Sequence, residues 1–439
     1  MQRAFQADRA LTGSAALVPR IVMFCAVATA VVGLSIRAAG GRLGTALPPF
    51  VMSWAPRVDS HALVPAVVLA AAVAVAPLAA RRIRSPLAFA ASLLVLTLAL
   101  GLALGYARGG VRGWYAIFDT GPGGSFEAKW EYLPGLSALS YGTHFFLDHF
   151  AELVPALPVN VAGHPPGLLL TLRFAGIESA RGMAALCIGT GALTAPLAYD
   201  LGRTLADEAR GRAAGLLTAF APALLLFGFT SADYLYTTLG LAAACLLVRP
   251  GRAALLTGAA LVALASFFSW LLLAMAAWAA LVVLQREGPR RAALLAAACA
   301  LAVLLLNVAL AAWTGYDPIG TLHSTEAVYR NSLARVRPYE FWVFGSPSAW
   351  LLLLGPLTAW LALRSLGRRD QAALALGAVV LAAAVLGFTK AETERIWLPF
   401  VPLACVAAAA SLDMRGIRTL LAALVAQALA IELLFRTIW

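Results

Sequence analysis

Apolar stretches long enough, or nearly long enough, to cross a bilayer recur along the whole chain. No polar segment between them is long enough to fold alone. With 62% hydrophobic and only 12% charged residues, the chain departs from the composition of a water-soluble domain. The sequence predicts an all-α, polytopic membrane protein with a single transmembrane domain over 1–439. About thirteen spans are expected, at about 17–36, 62–79, 86–106, 183–199, 213–229, 235–248, 253–266, 270–284, 292–313, 347–363, 371–388, 397–411 and 419–435.

Two boundaries within this pattern need an argument. The run 253–284 is almost continuously apolar, and its length suits two helices joined by a tight turn at Ser269 better than one. At the N-terminus, Arg3 and Arg9 precede the first apolar run, and no small-residue cleavage site follows it. We therefore expect a retained first helix.

The distribution of charge predicts the orientation. The formal net charge of +12 comes from short basic clusters between apolar runs, so it indicates topology and not nucleic-acid binding. Placing the N-terminus in the cytoplasm puts nearly all the excess positive charge inside. About thirteen of the 21 acidic residues then fall outside, chiefly in a first long loop, 107–182, and a second one, 314–346. The abundance of Ala, Arg and Gly suggests a bacterial inner-membrane protein.

The first external loop contains the strongest candidate for catalysis. Glu131 lies between Trp130 and Tyr132, an apolar setting in which a carboxylate is rarely placed for solubility alone. Asp119, before the glycine-rich turn 121–124, is the second candidate for a general base. Tyr132 is a candidate substrate-binding residue.

Two segments of this loop are predicted to be interfacial helices on the outer membrane surface, 143–154 and 167–178. In the first, Phe145, Phe146, Phe150 and Leu153 are expected on one side. The second follows Gly163-His164-Pro165-Pro166-Gly167, where the prolines fix the backbone and hold His164 in a defined position. His164 is a candidate for substrate binding, with loop bracing as the alternative.

Other candidates lie at predicted external ends of spans. Asp233, beside two apolar spans, needs water or a partner. Lys390 and Arg395 share a short turn and suit a lipid phosphate, the alternative being pairing with neighbouring glutamates. Arg330 in the second loop is a further candidate for the donor phosphate. The aromatic residues that follow it, Phe341 and Trp342, suit an interfacial belt.

Several kinds of chemistry have no support in the sequence. All five cysteines lie in apolar segments, without a CxxC or Cys/His cluster, so no metal site is predicted. No nucleotide-binding or hydrolase motif occurs, and no cofactor is expected, although the sequence leaves participation of a divalent metal undecided.

The order of these features resembles the GT-C superfamily of polyprenyl-phosphate-sugar-dependent glycosyltransferases, which includes protein mannosyltransferases and aminoarabinose transferases. The similarity is carried by the acidic first loop, the HPP element at His164, a basic cytoplasmic turn at Arg203, and the polar motif around Asp233. It extends over about 107–240 and the turn around Arg395. In this chain two extra spans precede the acidic loop, so the resemblance does not say which carboxylate is the base.

The resemblance implies an inverting transfer of a sugar from a polyprenyl-phosphate donor to a glycan, lipid or protein acceptor on the non-cytoplasmic face. Glu131 or Asp119 would take the proton of the acceptor hydroxyl. Arg395 and Lys390 would stabilise the leaving phosphate. The membrane spans would hold the lipid tail. The sugar and the acceptor are not indicated.

Three alternatives remain. A lipid-linked glycan transporter or flippase would also need a basic cavity, but no internal repeat is evident. A glycan polymerase or ligase would use several arginines of the second external loop, such as Arg330, Arg335 and Arg337. A structural assembly protein would tolerate substitution of its external acids.

Overall fold

The computed structural model describes residues 2–438, and it describes side chains from Ala15 onward except at position 333. Helices dominate. The first part of the chain contains α1 (Gln2–Ala38), α2 (Leu63–Arg82), α3 (Pro86–Tyr106), α4 (Thr143–Asp148), α5 (Phe150–Leu153), α6 (Val159–Ala162), α7 (Gly167–Phe174), α8 (Ala180–Gly191), α9 (Thr194–Leu205), α10 (Glu208–Ala219) and α11 (Asp233–Leu247).

The second part continues in the same manner, with α12 (Arg252–Ser266), α13 (Leu273–Glu287), α14 (Pro289–Thr314), α15 (Pro318–Asn331), α16 (Tyr339–Leu353), α17 (Pro356–Gly367), α18 (Gln371–Leu386), α19 (Thr393–Ile396), α20 (Phe400–Ala409) and α21 (Ile417–Leu434). The two strands, β1 (Met52–Trp54) and β2 (Phe435–Thr437), form an antiparallel ribbon in which Ser53 is the partner of Arg436. This ribbon joins the connection after α1 to the C-terminal end.

Seven helical segments within 2–438 are long and apolar enough to cross a membrane, and an eighth is obtained if α16 and α17 are counted as one bent span. The chain is therefore an all-α, multi-pass membrane protein. Each of the thirteen predicted apolar stretches contains helix. However, α11, α12, α18 and α20 are only 10–17 residues long, shorter than the roughly 20 residues that a straight span needs. The number thirteen stays a prediction.

The break predicted at Ser269 is confirmed. Helix α12 ends at Ser266 and α13 begins at Leu273, with a 3₁₀ turn between them. By contrast, the apolar stretch predicted over 347–363 does not form one straight helix, because α16 and α17 meet there at an angle of 113°. Gly355 at the bend has φ of +101°, and Pro356 supplies no backbone N–H, so the helix cannot continue.

The core is built from close contacts between alanine- and glycine-rich helices. Helix α20 is buried along its whole length and packs against α9, α10, α17 and α18. Between α9 and α10, a methyl group added to Gly202 would lie 2.8 Å from the Cα of Gly211. Small residues allow this approach of two backbones, which is typical of helix pairs in membranes.

The predicted interfacial helices differ from expectation. In 143–154 two short helices form, and Phe146 and Phe150 are buried, whereas Phe145 is 42% exposed. The predicted helix 167–178 is the shorter α7, which packs inside the protein instead of lying along its surface. Gly167 N donates to the Phe267 carbonyl oxygen over 2.9 Å, and most of the α7 leucines are buried. The second long loop contains a helix that the sequence pattern did not predict, α15.

Candidate active site

Glu131 lies immediately after a 3₁₀ helix, Phe126–Trp130, and only 2% of the residue is exposed. Its Oε1 accepts a hydrogen bond of 2.7 Å from Asn160 Nδ2. Asn160 is on α6 and is itself buried. The carboxylate is thus held by an amide from a different part of the first loop.

Asn160 also connects Glu131 to the last part of the chain. Its Oδ1 accepts from Arg395 Nη2 over 3.4 Å. A side-chain amide has both donors and an acceptor, so one Asn can bind a carboxylate and a guanidinium at the same time.

Arg395, on α19, is the cation at the centre of the cluster. Its Nη1 lies 3.3 Å from Asp233 Oδ2, and its Nη2 lies 3.6 Å from Glu392 Oε2. Burial disfavours the charge on Arg395, but the nearby Asp233, Glu392 and Glu131 more than offset that effect and raise its pKa. Arg395 stays charged.

An aromatic pair closes one side of the cluster. Tyr236 donates a hydrogen bond of 2.7 Å to Tyr132, whose hydroxyl lies 3.2 Å from His164 Nδ1. Burial raises the pKa of Tyr132 well above its usual range, and the carboxylate of Asp233 adds to this effect. Tyr132 therefore remains a neutral phenol.

His164 has a defined protonation state. Its Nδ1 lies 2.8 Å from the carbonyl oxygen of Asn160, which only accepts, so Nδ1 carries the hydrogen and Nε2 is the basic nitrogen. Burial lowers the pKa of His164, although Asp233 opposes that shift. A neutral imidazole is therefore expected at neutral pH.

The turn that carries Arg395 is strained. Ala391 and Glu392 have φ of +64° and +58°, a conformation that costs about 1–2 kcal/mol per non-glycine residue. Arg337 holds this turn, because its Nη1 donates to the Lys390 carbonyl oxygen over 2.8 Å and its Nη2 to Glu392 Oε1 over 2.7 Å. Such strain persists only where surrounding contacts enforce it, and it is common at functional sites.

The structure brings together five of the predicted site residues. Two connections between helices, the start of α11 and the short helix α19 contribute them: Glu131, Tyr132, His164, Asp233 and Arg395. Three residues join them that the sequence analysis did not propose as site residues. Asn160 lies four positions before His164, between two prolines. Tyr236 follows Asp233 by about one helical turn. Glu392 is one of the glutamates that the sequence offers as ion-pair partners of Arg395.

The other three predicted site residues make different contacts. Asp119 accepts from the backbone N–H of Gly121 over 2.9 Å and lies 3.7 Å from Arg112. The guanidinium of Arg330 is 73% exposed and pairs with Glu326 on the same helix. Lys390 contributes its backbone, donating to Tyr329 and accepting from Arg337.

The charges of the cluster limit its chemistry. Three carboxylates, Glu131, Asp233 and Glu392, lie near Arg395. Glu392 also pairs with Arg337, so the carboxylates outnumber the guanidiniums by one. The cluster is suited to accept a proton and to orient a hydroxyl group. Among the side chains that the structure describes, from Ala15 to 438 without position 333, no group of three or more His, Cys, Asp or Glu is arranged to hold a metal ion.

The fold and this cluster define an all-α, multi-pass membrane protein with a buried charged centre between its helices. No protein-family model matches the chain, and no curated protein matches it.

Proposed function

We propose that the chain is an inverting glycosyltransferase of the GT-C type, which moves a sugar from a polyprenyl-phosphate donor to an acceptor hydroxyl. The observation that carries this proposal is the convergence of Glu131, His164, Asp233 and Arg395, which are far apart in the sequence, in one buried hydrogen-bonded cluster. Buried titratable residues with shifted pKa values that lie together are candidates for a functional site.

Glu131 is the proposed general base. It takes the proton of the acceptor hydroxyl while that oxygen forms a bond to the anomeric carbon of the sugar. The bond from that carbon to the phosphate oxygen breaks, its electron pair stays on the phosphate, and the configuration at the carbon inverts. Asn160 fixes the orientation of the carboxylate. Asp119 is the weaker candidate because its contacts hold its own turn instead.

Arg395 is proposed to stabilise the leaving phosphate. Its contacts with Asp233, Asn160 and Glu392, at 3.3, 3.4 and 3.6 Å, are all longer than a usual charge-assisted hydrogen bond, so a phosphate oxygen is proposed to replace one of them. Tyr132 is proposed to donate a hydrogen bond to the sugar, and the basic Nε2 of His164 to accept one from a sugar hydroxyl. The membrane spans, about thirteen in this proposal, would carry the polyprenyl tail.

The contacts between connections support the proposed topology, in which the N-terminus is cytoplasmic and the site faces the periplasm of a bacterial cell. All connections that build the cluster were assigned to the outer side by the charge rule. Connections assigned to the inner side also meet one another: Arg210 pairs with Asp370 at 2.9 Å, and Arg249 with Asp200 at 2.6 Å.

A transporter or flippase of lipid-linked sugars is the second candidate. The bend of 113° between α16 and α17 supports it, because transporters often have helices that are interrupted near the middle of the membrane. A polymerase or ligase is less favoured. Of the arginines that it would use for a diphosphate, Arg330 is exposed and lies outside the cluster, and Arg337 holds the turn before Arg395.

The test is transfer of radiolabelled sugar by the purified protein from a panel of polyprenyl-phosphate donors. Glu131→Gln should reduce kcat by about 10²–10⁴-fold, the usual contribution of a general base. Asp119→Asn is the matched control from the same loop and should keep nearly full activity. If Asp119→Asn abolished transfer and Glu131→Gln did not, the assignment of the base would be wrong.

A transporter gives a different result. No donor would then support transfer by the wild-type protein, while the same preparation in liposomes would translocate lipid-linked sugar. That outcome would refute glycosyl transfer and establish the second candidate.

A further inference from the structure

Two adjoining cavities lie where the β-ribbon meets α21, and neither is lined by the Glu131–Arg395 cluster. The first, the arginine cavity, has a volume of about 470 Å³ and is lined by Arg57, Arg108 and Arg436 together with Glu127 and Glu432. The second, the apolar groove, has a volume of about 530 Å³. Its walls are almost entirely aliphatic and aromatic, and they include Leu353, Leu357, Leu424 and Ile431.

The two spaces share a wall. Phe435 lines both, and the elements on either side of it run from one space to the other. On α21, Ile431 lines the groove and Glu432 lines the arginine cavity. Along the first strand and the residues after it, Met52 lines the groove and Arg57 the cavity. A cavity lined by charged residues therefore lies beside an apolar one, with Phe435 lining both, and this arrangement fits an amphiphile.

One of the three arginines that line the arginine cavity is not ion-paired within the described part of the chain. Arg108 pairs with Glu432 at 2.9 Å, and Arg436 pairs with Glu127 at 3.1 Å. Arg57 has no carboxylate within 4.0 Å among the side chains that the structure describes, although Asp59, which binds His61, acts on it electrostatically from outside the lining. The lining itself has three arginines and two glutamates, and its unpaired guanidinium suits the single negative charge of a phosphodiester.

The three arginines differ in burial. Arg108 is held in place, because its guanidinium also donates to Thr230 over 3.2 Å and to the Leu226 carbonyl oxygen over 2.9 Å. Arg57 and Arg436 are exposed at the rim, where a ligand can reach them. Arginine forks match the paired oxygens of a phosphate group.

We propose that the two cavities together bind one anionic lipid, with its phosphodiester between Arg57 and Arg436 and its hydrocarbon chain in the apolar groove. A soluble anion would leave the groove without an occupant. Leu357 is 45% exposed at the groove, so a chain can enter from the lipid side. The proposal does not depend on glycosyl transfer.

Two sources offer this chemistry, a glycerophospholipid and a lipid-linked sugar. The second is of interest because the cavity adjoins the cluster along the chain. Glu127 lines the cavity and Glu131 belongs to the cluster, and the 3₁₀ helix between them spans only about 8 Å.

The experiment is a titration of the delipidated full-length protein in detergent, followed by native mass spectrometry. The probes are phosphatidylglycerol, a polyprenyl phosphodiester of glucose, zwitterionic phosphatidylcholine and inorganic phosphate. One equivalent of an anionic lipid should bind, with phosphatidylcholine at least about tenfold weaker. Tighter binding of either anionic lipid supports the proposal, and the ratio of their affinities identifies the source.

Two sets of variants test binding of the lipid phosphate and binding of the hydrocarbon chain separately. The double variant Arg57→Gln/Arg436→Gln should weaken binding of the anionic lipid at least about tenfold, the scale of one lost charge-assisted hydrogen bond. Arg57→Lys/Arg436→Lys should keep part of the affinity, which shows that the fold is intact. Arg330→Gln, at an exposed arginine of another helix, is the control and should bind as wild type.

Leu357→Trp should obstruct the groove and weaken lipid binding, whereas Leu87→Trp, at another exposed leucine, should not. Equal affinity for phosphatidylcholine would overturn the proposal. So would an equal loss in Arg330→Gln, or binding of inorganic phosphate as tight as that of the lipids.

Discussion

Replacing Arg395 by glutamine tests the electrostatic design of the cluster. The side chain is 6% exposed, and its carboxylate partners, Asp233 and Glu392, are 6% and 14% exposed. Removing the cation leaves the buried carboxylate of Asp233 without its ion pair, whereas Glu392 keeps Arg337. Breaking a buried ion pair in this way typically costs about 3–5 kcal/mol. For a chain of 439 residues, the usual entropy of unfolding per residue converts this loss into about 3–6 °C in Tm.

The assay is thermal unfolding of the purified protein in detergent, measured by intrinsic fluorescence. A double-mutant cycle isolates the pair, because Asp233→Asn removes one of the charges that Arg395→Gln strands. The double variant should therefore recover about 1–3 kcal/mol relative to the sum of the single variants.

The control is an exposed pair on α15. Arg330→Gln breaks the contact with Glu326 and should cost about 0.5 kcal/mol or less. If Arg395→Gln were no more destabilising than Arg330→Gln, or if the cycle showed no coupling, the cluster would not be held together by its buried charges.

Two further predictions concern particular contacts of the fold, that of Glu394 and that between α9 and α10. Glu394 is fully buried, its Oε1 accepts from Val51 N over 2.6 Å, and burial raises its pKa to about 7. Because this pKa is raised above the unfolded value, the contribution of Glu394 to stability is present below about pH 4.5 and is lost as pH rises to about 7. Glu394→Gln should therefore make Tm nearly independent of pH over that interval. A pH dependence of Tm that is the same as in the wild type would contradict the raised pKa of Glu394. Gly202→Ala should destabilise the contact of α9 with α10 by about 1–3 kcal/mol. The control, Gly189→Ala, has open space around the added methyl group and should be neutral or stabilising by up to about 1 kcal/mol. Equal effects of the two variants in thermal unfolding would refute the close packing of α9 and α10.

Several features of the fold follow from the sequence because hydropathy and turn chemistry are local. The apolar runs identify a multi-pass helical protein. The break at Ser269 was also predictable, since the run was too long for one helix. The bend at Gly355 was not predicted from hydropathy, because apolar residues continue through it and only the backbone conformation reveals the change of direction.

Local context also identified individual candidates for the site. Glu131 stood out as a carboxylate between aromatic residues, and His164 as a residue fixed by prolines. Asp233 and Arg395 stood out as charges beside apolar helices. Each of these signals depends on a few neighbouring residues, which is why a single sequence was sufficient to find them.

Which candidates belong together was decided only by the tertiary structure. Glu131 and Asp119 are both acids of the same loop, but Asn160 reaches Glu131, whereas the turn around Gly121 holds Asp119. Arg330 and Arg395 are both basic, yet one pairs on an exposed helix and the other is buried among carboxylates. The sequence determines which residues need partners, because that depends on their chemistry and immediate neighbours. The partners themselves depend on how distant connections pack, which no local pattern contains.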